Sequence, residues 1–252
     1  MVWFPPKSAW PDNFLKDISL FHSAKQDFLA AIDGNLKTAV GTVFPDVNLP
    51  SPTTLIPWQA HIRHLTEEAD LSSDLAMELL RASGAPPEIA PPKEWIDAIL
   101  SVNSLRVFRL RSIPADIRVV VAFVAPLALL SDSPPSFDRP SSATIQAVRD
   151  LVTRHASTAP GRKPVYTFFS LASAAPWPDE LKGVAAGDHS ILLSHRDGSG
   201  VWHTLAPSAF VKRTSFRNFV DRLYPITAEE RVIRVKSIVD RKLAGVCVRF
   251  VT

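Results

Sequence analysis

The chain has 252 residues, 46% of them apolar, and carries 28 Lys and Arg against 25 Asp and Glu, enough to fold as one large or two small domains and too apolar for a disordered tail. Its single cysteine, Cys247, excludes an intramolecular disulfide and any multi-cysteine zinc site. The longest near-continuous apolar run, residues 117–130, contains Arg118 and Pro126 and falls short of the roughly 20 residues of a membrane span.

In chain order, residues 12–34 predict a helix. Phe14, Ile18, Phe21, Phe28, Leu29 and Ile32 recur at three- and four-residue spacing, Asp12 or Asn13 can cap it, and Gly34 can end it. The N-terminus before it lacks the basic-then-apolar order of a secretory signal. Residues 57–70 and 72–84 predict two more helices, the second capped by Ser72 or Ser73 and stopped by Gly84. Pro91 and Pro92 open a fourth, with Trp95, Ile96, Ile99 and Leu100 inward.

From residue 105 the period changes. Residues 105–112 set Leu105, Val107 and Leu110 against Arg106, Arg109 and Arg111, with a slip at Phe108, and 118–124 follow as a second strand. The run 117–130 is expected as a buried strand or strand pair. Residues 141–157 predict a helix capped by Ser141 or Ser142, 164–172 a strand, and 189–205 a hairpin around Asp197, Gly198, Ser199 and Gly200. Near the C-terminus, Thr227 and Glu230 match a capping box and favour a helix over 228–243 before a strand over 246–251. The β-branched Val232, Ile233, Val235, Ile238 and Val239 argue for a strand instead. The expected class is α+β, a helical N-terminal half followed by a mixed α/β region with an antiparallel sheet. It divides into an acidic, mainly helical 1–104 and a basic, mixed 105–252, or runs on as one globular domain.

No phosphate-cradling glycine loop, zinc-protease helix or nucleophile elbow occurs. His61 and His64 with Glu67 and Glu68 share the helix expected at 57–70, and the pattern reads as a solvated face rather than a metal site. His189, His195 and His203 surround the hairpin, where two histidines on adjacent strands could face each other. Thr204 follows His203 directly, so the His-x-Thr/Ser spacing of two-histidine phosphodiesterases is absent. Cys247, among β-branched neighbours, reads as structural, since burial raises a thiol pKa. No catalytic residue, metal or cofactor is expected.

Charge is distributed unevenly. Residues 1–100 carry 7 Lys and Arg against 13 Asp and Glu, residues 101–200 carry 11 against 8, and residues 201–252 carry 10 against 4. The candidate phosphate-binding cations are Arg106, Arg109 and Arg111 on a strand, of which Arg106 and either Arg109 or Arg111 are expected to face solvent, Arg162 and Lys163 on a turn, and Lys212, Arg213 and Arg217 on an amphipathic helix anchored by Phe210, Phe219, Val220 and Leu223. Arg231, Arg234, Lys236, Arg241 and Lys242 complete the set. Cations in such numbers suit a phosphate backbone, and the arginine fork pairs with phosphate through two bonds. Without an RNP-type aromatic motif or a helix-turn-helix, binding would read shape and backbone rather than base sequence.

Pro, Ala and Ser make up 75 of the 252 residues and sit in short connectors such as 81–95, 129–143 and 155–164. In size, moderate basicity, this compositional excess and the lack of a catalytic motif, the chain resembles the proline-alanine-serine-rich proteins of polymycoviruses. The resemblance implies a non-enzymatic protein that coats viral double-stranded RNA in the host cytoplasm and self-associates, with a homodimer as the first step and no membrane involved. Two alternatives stand beside it. One is a capsid-like or protein–protein interaction protein that does not touch nucleic acid. The other is an enzyme using His189, His195 and His203.

Overall fold

The apolar run at 117–130 becomes the middle of the molecule. A computed structural model describes residues 3–41, 43–50, 55–113, 116–130, 133–156, 165–181 and 191–205. In it strand β4 (Asp116–Phe123) is buried at every position but Arg118, as a strand covered on both faces must be. It is the fourth of seven strands, in the order β1 (Val43–Pro50), β2 (Leu55–Asp70), β3 (Ser104–Ile113), β4, β7 (Val165–Ser173), β8 (Ile191–Arg196), β9 (Trp202–Leu205). β1 to β4 pair antiparallel in chain order, with two helices in the connection between β2 and β3. β4, β7 and β8 run parallel, and β9 returns antiparallel to β8. Between β4 and β7 the chain makes a two-residue pair, β5 (Leu127–Ala128) with β6 (Ser136–Phe137), and then the helix α4 (Ser142–Ala156).

Helices cover both faces of the sheet. On one side α1 (Asp12–Ala39) lays Phe28, Ile32 and Leu36 on Phe108, Leu110, Val119, Val121 and Phe123. On the other, α2 (Ser72–Ala82) and α4 place Leu75, Leu79, Ile145, Val148 and Val152 on Leu105, Val107, Val120 and Ala122. A third cluster joins Phe4, Trp10 and Phe14 to Leu80 and to Trp95 and Ile99 of α3 (Lys93–Val102). The Trp10 and Trp95 rings lie 4.7 Å apart, and both indoles donate to the Pro5 carbonyl, at 3.0 and 2.9 Å. Two side chains of α1 close the C-terminal end of α3: Lys25 Nζ donates to Leu100 O at 2.9 Å and His22 Nδ1 to Ser101 O at 2.9 Å. A cation is favoured there by the helix dipole. Burial holds the Lys25 ammonium below the usual lysine range, against the opposing charge of Asp70.

The class is α+β as expected, with the first helix, the helices over 72–84 and at Trp95, the strands at 105–112, 118–124 and 164–172, the helix at 141–157 and the hairpin all present. Gly84 has φ of +97°, and a Cβ there would lie 2.8 Å from Leu129 O, so the end of α2 requires glycine. One expected element is corrected: residues 57–70 form a strand and not a helix. β2 carries two bulges, between Ile62 and His64 and between Glu67 and Ala69. Each inserts one residue into a period of two, so Ile62 and Leu65, three apart, share the face toward α1, while Ala69, four further on, lies on the face toward α2 and α4, and the spacing of the three imitates a helix. Gly34 does not end α1, which runs on to Ala39 because Leu36 and Ala39 are fully buried. The slip at Phe108 is no irregularity, since β3 and β4 stay in register. Both faces of β3 are covered, so Phe108 packs toward α1 while Val107 packs toward α2 and α4. Ser72 opens α2 without capping it: its amide donates to Asp70 Oδ1 and its hydroxyl accepts the Leu105 amide. β1 and β2 join the same sheet as the strands after residue 104. The helix or strand expected at 228–243 and the strand at 246–251 lie outside the described residues.

Candidate nucleic-acid interface

Along β3 the residues facing α2 and α4 are Leu105, Val107, Arg109 and Arg111. The first two are fully buried, Arg109 is 19% exposed, and Arg111 is open to solvent. Arg109 stands opposite Arg118 of β4, a like-charge pair that would repel if left alone. Glu68, the residue added by the second bulge of β2, resolves it. Arg109 donates to Glu68 at 3.0 Å and to Asp116 at 3.0 Å, and Arg118 donates to the other Glu68 oxygen at 2.7 Å. Two positive and two negative groups thus form a neutral quartet beneath the surface.

Arg106 sits on the opposite face and is held as firmly. Its guanidinium meets both oxygens of Glu67 at 2.8 Å and both oxygens of Asp33 of α1 at 3.1 and 3.0 Å. It also lies 4.8 Å from the centroid of the Phe108 ring. The hydrogen bonds from Arg106 hold the Glu67 carboxyl below its usual range, and Glu67 and Asp33 in turn raise the Arg106 pKa. Arg106, expected to point to solvent, is therefore engaged with carboxylates inside the fold, as is Arg109, so that of the two alternatives Arg109 and Arg111 it is Arg111 that faces out.

The far end of the β2–β3 ladder is different. His64 pairs with Arg111 and His61 with Ile113, and Arg63 is the residue added by the first bulge. His61, Arg63, His64 and Arg111 are all exposed, and among the described residues no carboxylate forms an ion pair with Arg63 or Arg111. The carboxylates that share the 57–70 segment with these histidines, Glu67 and Glu68, are turned to Arg106 and to the Arg109–Arg118 pair. Among the described residues no group of three or more His, Cys, Asp or Glu side chains is arranged to hold a metal ion. The sequence pattern marks Arg111 and does not mark Arg63. The signal that would have found Arg63 is its place in a strand whose apolar spacing is broken by a bulge. Arg162, Lys163, Lys212, Arg213, Arg217, Arg231, Arg234, Lys236, Arg241 and Lys242 lie outside the described residues, as do His189 and Cys247.

The hairpin brings two of its three expected histidines together. His195 and His203 are register partners, with rings stacked at 5.0 Å between centroids and 19° between planes. His203 Nε2 donates to Asp197 Oδ2 at 2.6 Å. Asp197 also accepts from Ser199 N, Ser199 Oγ and Val201 N, at 3.0, 2.7 and 2.9 Å. These bonds, that from His203 foremost, hold its carboxyl far below the usual range. Burial, then the neighbouring His203, push the His195 pKa down while Asp197 opposes them. No family model, curated protein or solved structure matches the chain.

Proposed function

We propose that this is a non-enzymatic protein that binds the RNA backbone without reading base sequence, and that it self-associates to coat double-stranded RNA, as a viral genome coat in the cytoplasm of an infected cell would. Arg63 and Arg111, with His61 and His64, supply one part of the contact surface, and the cations of 212–242 supply the rest. The observation that carries the reading is the contrast within one sheet: Arg106, Arg109 and Arg118 are neutralised in place, whereas Arg63 and Arg111 face solvent with no ion-pairing carboxylate among the described residues. An uncompensated arginine is the group that gains most by displacing counterions from phosphate. The six-charge excess of residues 201–252 adds to it in the sequence.

The test is a titration of the protein, freed of nucleic acid at high salt, into labelled double- and single-stranded RNA at two salt concentrations. Tight binding at low salt that falls steeply as salt rises, and that weakens in Arg63→Ala/Arg111→Ala and in Arg213→Ala/Arg217→Ala, is the expected result. No binding at low salt would overturn the reading and leave a protein–protein role for the basic segment.

A further inference from the structure

The β8–β9 hairpin stacks two ionisable rings in unequal surroundings. His195 and His203 are register partners, with ring centroids 5.0 Å apart and 19° between planes. His203 is 47% exposed and bonded to Asp197 at 2.6 Å, so a charge there has water and a carboxylate beside it. His195 is partly buried, shares its face of β8 with the buried Ile191 and Leu193, and has its Nδ1 shut off from solvent. A proton on His195 would be poorly hydrated and stacked on a second imidazole. The groups around it are poor counter-charges. Its partner on β7 is Ser173. Arg196 pairs with Asp27 of α1 on the opposite face, at 2.9 Å. The turn after β7, which packs Trp177 and Leu181 on the His195 face, leaves Asp179 and Glu180 exposed. Arg149 of α4 lies over the Phe169 ring at 5.7 Å.

Among the described residues β9 is the outermost strand on its side of the sheet, held to β8 by four register pairs and to α1 by Trp202, whose ring lies 5.5 Å from that of Phe28. We propose that the hairpin is an acid-sensitive latch: mild acidification charges His195 and frees β9 from β8, while the rest of the sheet stays paired. The latch does not require RNA. Its sign follows from linkage. The His195 pKa is lowered in the closed hairpin, by burial and then by His203. The open hairpin therefore binds more protons once the pH falls below the ordinary histidine value of about 6.5. The closed form is fully favoured above that value and loses ground as the pH falls toward the lowered one. One extra proton raises the open population by up to about tenfold per pH unit. Asp197, held far below the usual carboxyl range, stays charged throughout and keeps Ser199 and Val201 in the turn, which is the hinge.

The experiment is amide hydrogen exchange of the full chain between about pH 7.5 and about pH 5, with rates corrected for the intrinsic pH dependence of exchange. Opening of β9 should rise by up to about tenfold per pH unit below about pH 6.5, with β3 and β4 unchanged. His195→Phe keeps the stacked ring and removes the charge, and should hold β9 closed over the whole range. His61→Gln/His64→Gln should leave the acid response as it is, which separates it from the exposed pair on β2. If His195→Phe fails to fold, imidazole NMR titration of the unaltered protein decides. The His195 signals should titrate below about pH 6.5, and a midpoint at or above that value overturns the proposal. So does β9 exchange that ignores pH, an acid response that survives in His195→Phe, or one equally large in β3 and β4, which would be global unfolding.

Discussion

Arg109 and Arg111 stand two residues apart on one strand and face the same side, yet one is closed into a neutral quartet and the other is open. The residue type and the backbone are the same. What differs is the supply of carboxylates: Glu68 and Asp116 reach Arg109, and the residues opposite Arg111 are histidine and arginine. An arginine's role here is decided by its neighbours across the ladder, so a count of basic residues overstates the surface available to an anion.

Removing the closing carboxylate tests this contrast most severely. Glu68→Ala leaves Arg109 and Arg118, both less than one-fifth exposed, without their shared partner. The expected cost is about 3 kcal/mol or more, read from the urea midpoint. A loss under about 1 kcal/mol would mean that water or Asp116 alone satisfies the pair. Glu67→Gln should cost less, about 1 kcal/mol, because the side chain is 40% exposed and Arg106 keeps Asp33. It also carries a pH signature. The folded-state pKa of Glu67 is depressed, so its contribution is present above the ordinary glutamate value near about 4.3 and is lost as pH falls through the folded value. The unaltered protein should therefore lose stability on acidification below about pH 4.3 more steeply than Glu67→Gln. Equal slopes would show that the ion pair is not formed in solution. At the open end the effect on stability should nearly vanish. Arg63→Ala/Arg111→Ala is expected to change folding free energy by no more than about 0.5 kcal/mol while lowering the salt slope of RNA binding by about 2. A stability loss like that of Glu68→Ala would make these arginines part of the scaffold.

The elements that sequence alone locates are those whose cause is local. The run 117–130 is apolar on both parities because β4 is covered twice, and the turn at Asp197 to Gly200 sets the hairpin register and so the meeting of His195 with His203. β2 escapes because its bulges depend on pairing with β3, far along the chain, and they disguise a strand as a helix. The fate of the strand arginines escapes for the same reason: Asp33 is on α1, and Glu67 and Glu68 are on β2. Asp197 reads in sequence as an ordinary turn residue. Its second oxygen becomes an anchor for His203 only once the loop folds back.

The parallel step between β4 and β7 shapes how the chain reaches this structure. β3 and β4 pair antiparallel and are joined by a short connection, whereas α2 and α3 separate β2 from β3. β7 can join only after the chain between Phe123 and Val165 has closed back on the sheet, on the order of 2 kcal/mol more in loop entropy than a tight turn. The β3–β4 hairpin is thus the early product of folding, and until β7 arrives β4 is an apolar strand with one edge unpaired, a template for the same edge of another chain. Refolding yield should fall as protein concentration rises, and the loss should set in before the parallel half of the sheet is complete.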